Sequence, residues 1–303
     1  MSSSSIRLLA VAIVSTIAAQ PSGDTPRSAI ADRVSRLTRS TEWIRVSTIP
    51  VQFRTFHPQG MVKIGDRFYV SSVEVHDREA DFGVGHLFQF DLSGRLLADL
   101  TLGEGAIYHP GGIDYDGRYI WVPVAEYRPD SRSIVYRVDP KTMKAEEVLR
   151  FSDHLGAIVH DTDDHSLHAV SWGSRTFYRW PMAADGRVRS TEVRRAANPS
   201  HYVDYQDCKY SGRRTMVCTG VAEIRRSPDD TPFRLGGIEL IDLSDHRPLH
   251  QVPLLQWANG IDLTHNPAWL EPTADGVRGY FMPEDDRSTV YVLEAKTTHG
   301  RIF

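Results

Sequence analysis

The chain has 303 residues, of which 41% are hydrophobic and 24% are charged, and its formal net charge is −4. These values are typical of a globular protein with enough apolar material for a large core. They argue against a nucleic-acid partner, because phosphate binding needs a concentrated basic surface and no basic tract stands out.

The N-terminal segment has the pattern of an export signal. Arg7 precedes an apolar run from Leu8 to Ala19, and Thr16 and Ala18 have the −3/−1 spacing of a cleavage site. The run is too short to span a bilayer. We therefore predict a signal peptide over residues 1–19, a secreted protein and no stable membrane span, with an uncleaved anchor as the alternative.

Residues 20–40 are rich in Ser, Thr, Pro and Arg and are expected to form a linker, with one short helix over "AIADRVSRLTRS". From Thr41 onward, short β-branched and aromatic runs are separated by Gly, Asp, Pro and Ser. This pattern indicates an all-β domain over residues 41–303.

A four-part pattern recurs through this domain about every fifty residues. Each unit has four parts in order: a start marked by a small residue, a strand, a third segment that is a strand ending near an acid, and a weaker strand. We assign the small-residue positions to Gly60, Gly112, Ala157, Gln206 and Gly260. Four antiparallel strands in each repeated unit predict a β-propeller.

We expect five blades, with a six-bladed ring as the alternative, and a monomer. The fifth unit has only three strands before the chain ends at Phe303. The run "TEWIRVSTIPV" at residues 41–51 precedes the first unit and would supply the missing outer strand. Such pairing closes the ring and removes an exposed edge.

The two cysteines, Cys208 and Cys218, lie in "DCKYSGRRTMVC". The Ser211-Gly212 pair marks a turn between two strands, which would place the cysteines opposite each other. In an oxidising compartment this predicts a cross-strand disulfide, with two buried thiols as the alternative.

A histidine precedes the small residue in three of the units. It occurs in "FHPQG", "YHPGG" and "DHLGA" as His57, His109 and His154, and the equivalent positions in the other two units are assigned to Val203 and Trp257. The innermost strand of a propeller blade begins beside the central channel, so the three histidines should converge at the top mouth of that channel.

Carboxylates are expected at the same mouth. The second strands end in Glu74, Glu126, Glu223 and Glu284, and Asp207 lies close to the start of the fourth inner strand. The three histidines and these five acids are the predicted catalytic residues. Their chemistry could be acid/base catalysis between imidazole and carboxylate. The alternative is one divalent cation bound by the three histidines.

Calcium held by the carboxylates with Asn259 would be another possible site. There is also a purely structural explanation, because His-Pro before glycine is a good tight-turn sequence.

The units resemble those of secreted β-propellers of the gluconolactonase and strictosidine-synthase group. The stretch "FHPQGMVKIGDRFYVSSVE" is also similar to the first blade of the five-bladed plant glutaminyl cyclases, in which a Gln-Gly pair precedes a glutamate. The matching residues here are Gln59, Gly60 and Glu74, although the spacing differs and the rest of that signature is absent. The resemblance implies propeller architecture for residues 41–303.

These patterns predict a secreted small-molecule enzyme, either a hydrolase of lactonase or esterase type or a lyase/isomerase. No Gly-x-Ser-x-Gly motif, phosphate loop or dinucleotide fingerprint is present. The alternative is a non-catalytic module that binds a glycan, a peptide or a small ligand. Aromatic side chains near the mouth would then provide stacking surfaces, and the candidates are Tyr108, Tyr127, Trp172 and Tyr205.

Overall fold

The computed structural model describes residues 26–200 and 202–297. The expected signal peptide over residues 1–19 lies outside this part of the chain. The described part consists of one helix, α1 (Pro26–Val34), two short 3-10 turns, and 23 strands in chain order. Nearly all of the longer strands belong to five four-stranded antiparallel blades arranged in a propeller ring.

The blades follow one another along the chain, and each runs from its innermost to its outermost strand. Blade one contains β2 (His57–Ile64), β3 (Arg67–Asp77), β4 (Phe82–Asp91) and β5 (Leu96–Leu102). Blade two contains β6 (Ile107–Pro110), β7 (Asp114–Tyr115), β8 (Ile120–Glu126), β9 (Ser133–Asp139) and β10 (Lys144–Phe151). Its inner strand is divided between β6 and β7, which both pair with β8.

Blade three contains β11 (Ala157–Asp161), β12 (Ser166–Val170), β13 (Thr176–Pro181) and β14 (Arg194–Ala197). Blade four contains β15 (Asp204–Gly212), β16 (Thr215–Ile224), β17 (Phe233–Asp242) and β18 (Pro248–Leu254). A small hairpin of β19 (Trp257–Ala258) and β20 (Ile261–Asp262) separates it from blade five. Blade five contains β21 (Ala268–Pro272), β22 (Gly276–Phe281) and β23 (Thr289–Lys296).

The N-terminal strand β1 (Trp43–Pro50) closes the ring. It pairs antiparallel with β23, with Trp43 opposite Ala295 and Pro50 opposite Thr289. Trp43 packs edge-on against Phe281 at 5.9 Å between ring centroids. The prediction of five blades closed by residues 41–51 is therefore confirmed.

The disulfide prediction is also confirmed. Cys208 and Cys218 lie opposite each other on the paired strands β15 and β16, and they are joined by a disulfide. Both side chains are buried among the hydrophobic residues shared by blades three and four.

The prediction for the start of blade five was wrong. The repeat pattern in the sequence assigned that start to Gly260. In the structure, residues 257–262 form the small hairpin, and the innermost strand of blade five is β21, which begins at Ala268. Trp269 and Leu270 pair with Tyr280 and Gly279 of β22. Successive side chains of such a paired strand point to opposite faces of the blade.

Helix α1 covers the end of the ring where the inner strands finish. Ile30, Val34 and Leu37 are buried in the same hydrophobic cluster as Trp43 and Leu270. His250 on β18 donates a hydrogen bond of 2.8 Å from Nε2 to the carbonyl oxygen of Leu37, which fixes the turn after the helix. We call this end of the propeller the lower face, and the end where the inner strands begin the upper face.

The small residues of the repeat allow the inner strands to approach closely at the propeller axis. A Cβ atom on Gly60 would lie 2.5 Å from the backbone nitrogen of Ile113, and one on Gly112 would lie 2.9 Å from the Cβ of Ala157. A side chain at either glycine would therefore force the blades apart. The channel is narrowest at this level.

Asp207 of blade four crosses the axis at the narrow level. Its carboxylate accepts hydrogen bonds from the backbone amides of Met61, at 2.9 Å, and Ile113, at 3.1 Å. Lys209 donates a further hydrogen bond to the same carboxylate. Asp207 thus links three blades and separates the channel into an upper and a lower cavity.

Candidate functional site

The upper end of the channel opens into a cavity of about 230 Å³, here called the upper cavity. All three histidines that the sequence singled out line it. The first four blades each contribute two of its principal side chains, which are His57, Gln59, His109, Tyr127, His154, Trp172, Asp204 and Gln206.

Two of the histidines are buried and packed against aromatic rings. His109 is 5% exposed and His154 is 3% exposed, and their ring centroids are 5.5 Å apart. His109 stacks on Tyr127 at 4.1 Å, while His154 meets Trp172 edge-on at 4.7 Å. Burial lowers the pKa of both imidazoles, that of His109 well below its usual value with a further contribution from His154 and His57. Both rings are therefore neutral at neutral pH.

The hydrogen-bond partner of His154 determines its tautomer. Its Nδ1 lies 2.9 Å from the carbonyl oxygen of Glu126, which can only accept. The neutral ring therefore carries its proton on Nδ1, and Nε2 is a hydrogen-bond acceptor. In contrast, Nδ1 of His109 is buried and has no hydrogen-bond partner among the described residues. His109 can thus carry its proton on Nε2 and act as a donor.

His57 forms an imidazole–carboxylate pair with Asp285. Its Nδ1 lies 2.8 Å from Oδ1 of Asp285, which follows β22 in blade five. Asn266 donates a second hydrogen bond of 2.9 Å to the same oxygen. Burial tends to raise the pKa of Asp285, but the hydrogen bond and charge of His57 outweigh it, so that the pKa is lowered. An ionised carboxylate can only accept a hydrogen bond, so Nδ1 of His57 carries the proton of this pair and Nε2 is not engaged by Asp285.

A β-bulge explains why the two glutamines reach the cavity. In blade one the strand register shifts between Pro58 and Gly60, which leaves Gln59 as the extra residue. In blade four the register shifts between Tyr205 and Asp207, which leaves Gln206 in the same role.

Because of this bulge, the alignment of blade four with blade one differs by one residue from the alignment predicted from the sequence. Asp204, rather than Val203, is the structural equivalent of His57, and Asp207 is the equivalent of Gly60. Asp204 lines the upper cavity and forms an ion pair of 2.7 Å with Arg175.

The repeat contains a fourth histidine, which was not predicted from the sequence. Because β21 begins at Ala268, the residue three positions earlier is His265, in "HNPA", and Trp257 is not the equivalent position. His265 Nδ1 lies 3.8 Å from Asp262. Burial lowers its pKa, and Asp262, Asp285 and His57 are among the charged neighbours that affect it. Four of the five blades therefore carry a histidine at this position, and the motif His-x-x-small in "HNPA" could have revealed it.

The predicted acids do not join the histidines in the upper cavity. Glu74 lies 3.2 Å from His76 and 3.5 Å from His86, and it lines a separate cavity of about 290 Å³ that His57 and Asp285 also border. Glu126 is buried in ion pairs with Arg128 and Arg132. Glu223 pairs with Arg225 and Arg234 at the exposed hairpin of blade four.

The remaining two acids are also engaged elsewhere. Glu284 accepts a hydrogen bond of 2.9 Å from Asn259 and another from the Tyr291 hydroxyl. Asp207 lies on the axis below the cavity. The carboxylate that meets a cavity histidine is instead Asp285, which the sequence analysis did not select.

The residues of the cavity do not form a metal-ligand set. Within residues 26–200 and 202–297, no three His, Cys, Asp or Glu side chains are grouped so as to hold a metal ion. Nδ1 of His57 is occupied by Asp285, and Nδ1 of His154 by a backbone carbonyl. The metal-binding role predicted for His57, His109 and His154 therefore finds no support in their arrangement.

The fold and the upper cavity define a β-propeller protein with a polar pocket at the mouth of its channel. Over residues 17–298 the chain matches the model of a family of unknown function (DUF6454), and it belongs to that family. None of the curated proteins matches the sequence. In the part of the chain that the structure describes, no helix is both long and apolar enough to cross a membrane.

Solved structures similar to this chain share its fold at low sequence identity. A luciferin-regenerating enzyme is 9% identical with a TM-score of 0.50, and the match covers 86% of this chain and 96% of that one. The tail fiber of Staphylococcus aureus phage P68 is 10% identical with a TM-score of 0.50, and the match covers 88% of this chain and 56% of that one.

A third similar structure, hydrazine synthase of Kuenenia stuttgartiensis, is 13% identical with a TM-score of 0.42, and the match covers 79% of this chain and 59% of that one. The chain thus spans less than two thirds of the tail fiber and of the hydrazine synthase chain. At these identities, the likeness concerns the fold alone.

Proposed function

We propose that the protein is a secreted enzyme that performs acid/base chemistry on a small carbonyl compound, such as a lactone or an ester, in the upper cavity. The observation that carries this proposal is the 2.8 Å hydrogen bond between His57 and Asp285 at a cavity lined by two neutral imidazoles. This observation supports the proposal because acid/base catalysis uses an imidazole beside an anionic partner, with further hydrogen-bonding groups at the same opening.

His57 is the general base of the proposed reaction. Its Nε2 removes a proton either from water, for hydrolysis, or from a carbon next to the carbonyl, for elimination or isomerisation. The imidazolium that forms is stabilised by the adjacent Asp285 carboxylate, which is the role that an acid behind a catalytic histidine has in general. Asn266 keeps that carboxylate in position through its own hydrogen bond.

His109 is the proposed donor to the substrate carbonyl. With its proton on Nε2, the neutral ring can donate to the oxygen on which negative charge develops. Its stacking on Tyr127, over which Arg78 lies at 4.1 Å, fixes the orientation of the ring. A cavity of about 230 Å³ suits a small substrate.

Export is part of the proposal. The pattern of residues 1–19 supports it, and the Cys208–Cys218 disulfide is compatible with an oxidising compartment. We include kinship with the gluconolactonase and strictosidine-synthase group as a hypothesis that the shared propeller fold permits.

A non-catalytic binding role is the second candidate. Tyr127 and Trp172 lie 6.0 Å apart between ring centroids at the cavity and offer stacking surfaces for a ligand. Tyr205 also lines the cavity, whereas Tyr108 is 2% exposed and is not among the lining residues.

Turnover separates the two candidates. The purified protein should be incubated in D₂O with a panel of lactones, carboxylic esters and α-hydroxy carbonyl compounds, and each reaction followed by NMR. The enzyme proposal predicts multiple turnover, or incorporation of deuterium beside the carbonyl, for at least one compound. Saturable binding without either reaction would favour the binding module.

A further inference from the structure

The lower end of the channel contains a second and larger cavity. It has a volume of about 460 Å³ and lies between the inner strands and helix α1. We call it the lower cavity. Its charged groups are two lysines and two carboxylates, and hydroxyl-bearing side chains also line it, namely Tyr115, Tyr210, Ser211 and Thr219. The rest of its walls is mainly apolar. The residues that line it include Ile30, Lys63, Asp207, Lys209, Leu270 and Glu271.

Both carboxylates of the lower cavity are already occupied by protein donors. Asp207 accepts from two backbone amides and from Lys209. Glu271 accepts hydrogen bonds from Lys63 at 3.0 Å, from Trp269 at 3.2 Å and from the hydroxyl of Tyr280 at 3.1 Å. Neither carboxylate is therefore well placed to recognise a ligand donor.

The two lysines have more donor capacity than these carboxylates use. Each ammonium has three hydrogens. Lys209 donates to Asp207 and, at 3.4 Å, to the carbonyl oxygen of Cys208, while Lys63 donates to Glu271. Both side chains are largely buried, with exposed fractions of 12% for Lys209 and 15% for Lys63. An acceptor group in this cavity would meet two desolvated ammonium groups, where a charge-assisted hydrogen bond is strong.

The remaining walls suit an apolar body. Ile30 from α1 and Leu270 from β21 face the cavity together with Val217 and Trp269. The volume lies within the range of sites that enclose a small organic ligand. Each ammonium already has one carboxylate partner, and the charge of Asp114 also acts on Lys209. A head with a single negative charge therefore meets less repulsion here than a doubly charged phosphate would.

We propose that the lower cavity binds an amphipathic monocarboxylate, with its head at Lys209 and Lys63 and its apolar body between Leu270, Trp269 and helix α1. This site is separated from the upper cavity by Asp207 on the propeller axis, and it does not depend on the proposed enzymatic function. It gives the protein a second ligand-binding function.

Decanoate is a suitable probe, and decanol is its control because the chain is the same and the charged head is absent. Isothermal titration calorimetry should show saturable binding of one decanoate per chain. Decanol should bind at least about tenfold more weakly. The variant Lys209→Met should lose at least about tenfold in affinity for decanoate, whereas Lys296→Met, at a lysine that is 80% exposed, should bind like the wild type.

A second variant keeps the test decisive if Lys209→Met does not fold. Ile30→Trp fills the cavity from the peripheral helix α1 and should abolish binding while the blades remain intact by circular dichroism. His57→Gln in the upper cavity should bind decanoate normally, which distinguishes this site from the proposed active site. The proposal is overturned if decanoate does not saturate the wild type, if decanol binds equally well, or if Ile30→Trp binds decanoate unchanged.

Discussion

Nδ1 of His57 lies 2.8 Å from Oδ1 of Asp285, and this hydrogen bond connects the first blade to the last. The pair is distant in sequence and adjacent only because the ring closes. Among the described residues, it is the one contact in which the imidazole ring of an upper-cavity histidine lies at hydrogen-bonding distance from a carboxylate.

Asp285→Asn should lower turnover by about 10²–10⁴-fold while the protein stays folded. The amide preserves the shape but removes the charge, and it can donate to Nδ1 and so favour the wrong tautomer of His57. The measurement is kcat on the best substrate of the panel, with circular dichroism as the check of folding. The matched control is Asp286→Asn, since the neighbouring carboxylate pairs with Arg54 at the surface. Equal activity of the two variants would contradict the role given to Asp285.

Asp207→Ala should destabilise the propeller by about 3–5 kcal/mol. The substitution leaves the ammonium of Lys209 and the amides of Met61 and Ile113 without their buried acceptor. Urea unfolding gives the free energy. Asp204→Ala is the comparison, because its ion pair with Arg175 is half-exposed and its loss should cost less than about 1 kcal/mol. A loss at Asp207 as small as that at Asp204 would show that the axial carboxylate does not hold the blades together.

Trp43→Ala should reduce the free energy of unfolding by about 3–5 kcal/mol, because it removes the buried ring that anchors the closing strand to Phe281. Ile44→Ala on the same strand is the control, since Ile44 is 57% exposed. Thermal unfolding of both variants checks this prediction. Similar melting temperatures would indicate that closure of the ring contributes little to stability.

The buried histidine pair between blades three and four should make stability sensitive to pH. His168 Nδ1 lies 3.2 Å from His246 Nε2, and burial, with the charge of His246, lowers the pKa of His168 well below its usual value of 6.5. Below about pH 6.5 the unfolded chain therefore binds a proton that the folded chain does not. The free energy of unfolding consequently decreases as the pH is lowered.

The variant His168→Gln tests the direction of this pH dependence of stability. The stability advantage of the wild type over the variant should decrease by about 1 kcal/mol between pH 7.5 and pH 5.5, as measured by urea unfolding. The comparison with the variant removes the contributions of the other titrating groups. An advantage that stays constant or grows toward acid pH would contradict the assignment of a neutral, buried His168.

The sequence predicted the architecture well because a propeller repeats its local signals. Turn residues and alternating strands recur in each blade, so the number of blades, the closing strand and the disulfide could all be inferred. The alignment failed where the repeat is irregular. The bulge at Gln206 shifted blade four by one residue, and the β19–β20 hairpin delayed blade five, so that His265 was missed.

The candidate site was harder to predict because it depends on contacts between distant parts of the chain. A glutamate at a strand end forms an ion pair with the cationic side chain that lies nearest in space, as Glu126 does with Arg128 and Arg132. Asp285 reaches His57 only through ring closure. The repeat pattern could identify the histidines, but it could not identify their partners.

The most direct test of the proposed function is the turnover of the best panel compound by His57→Gln compared with His165→Gln. His165 lies in the exposed turn between β11 and β12, away from the upper cavity, and its variant controls for the loss of an imidazole. We predict that His57→Gln binds the compound but loses at least about 100-fold in kcat, while His165→Gln keeps wild-type activity. Full activity of His57→Gln, or binding by the wild type without any turnover, would contradict an acid/base enzyme at this site.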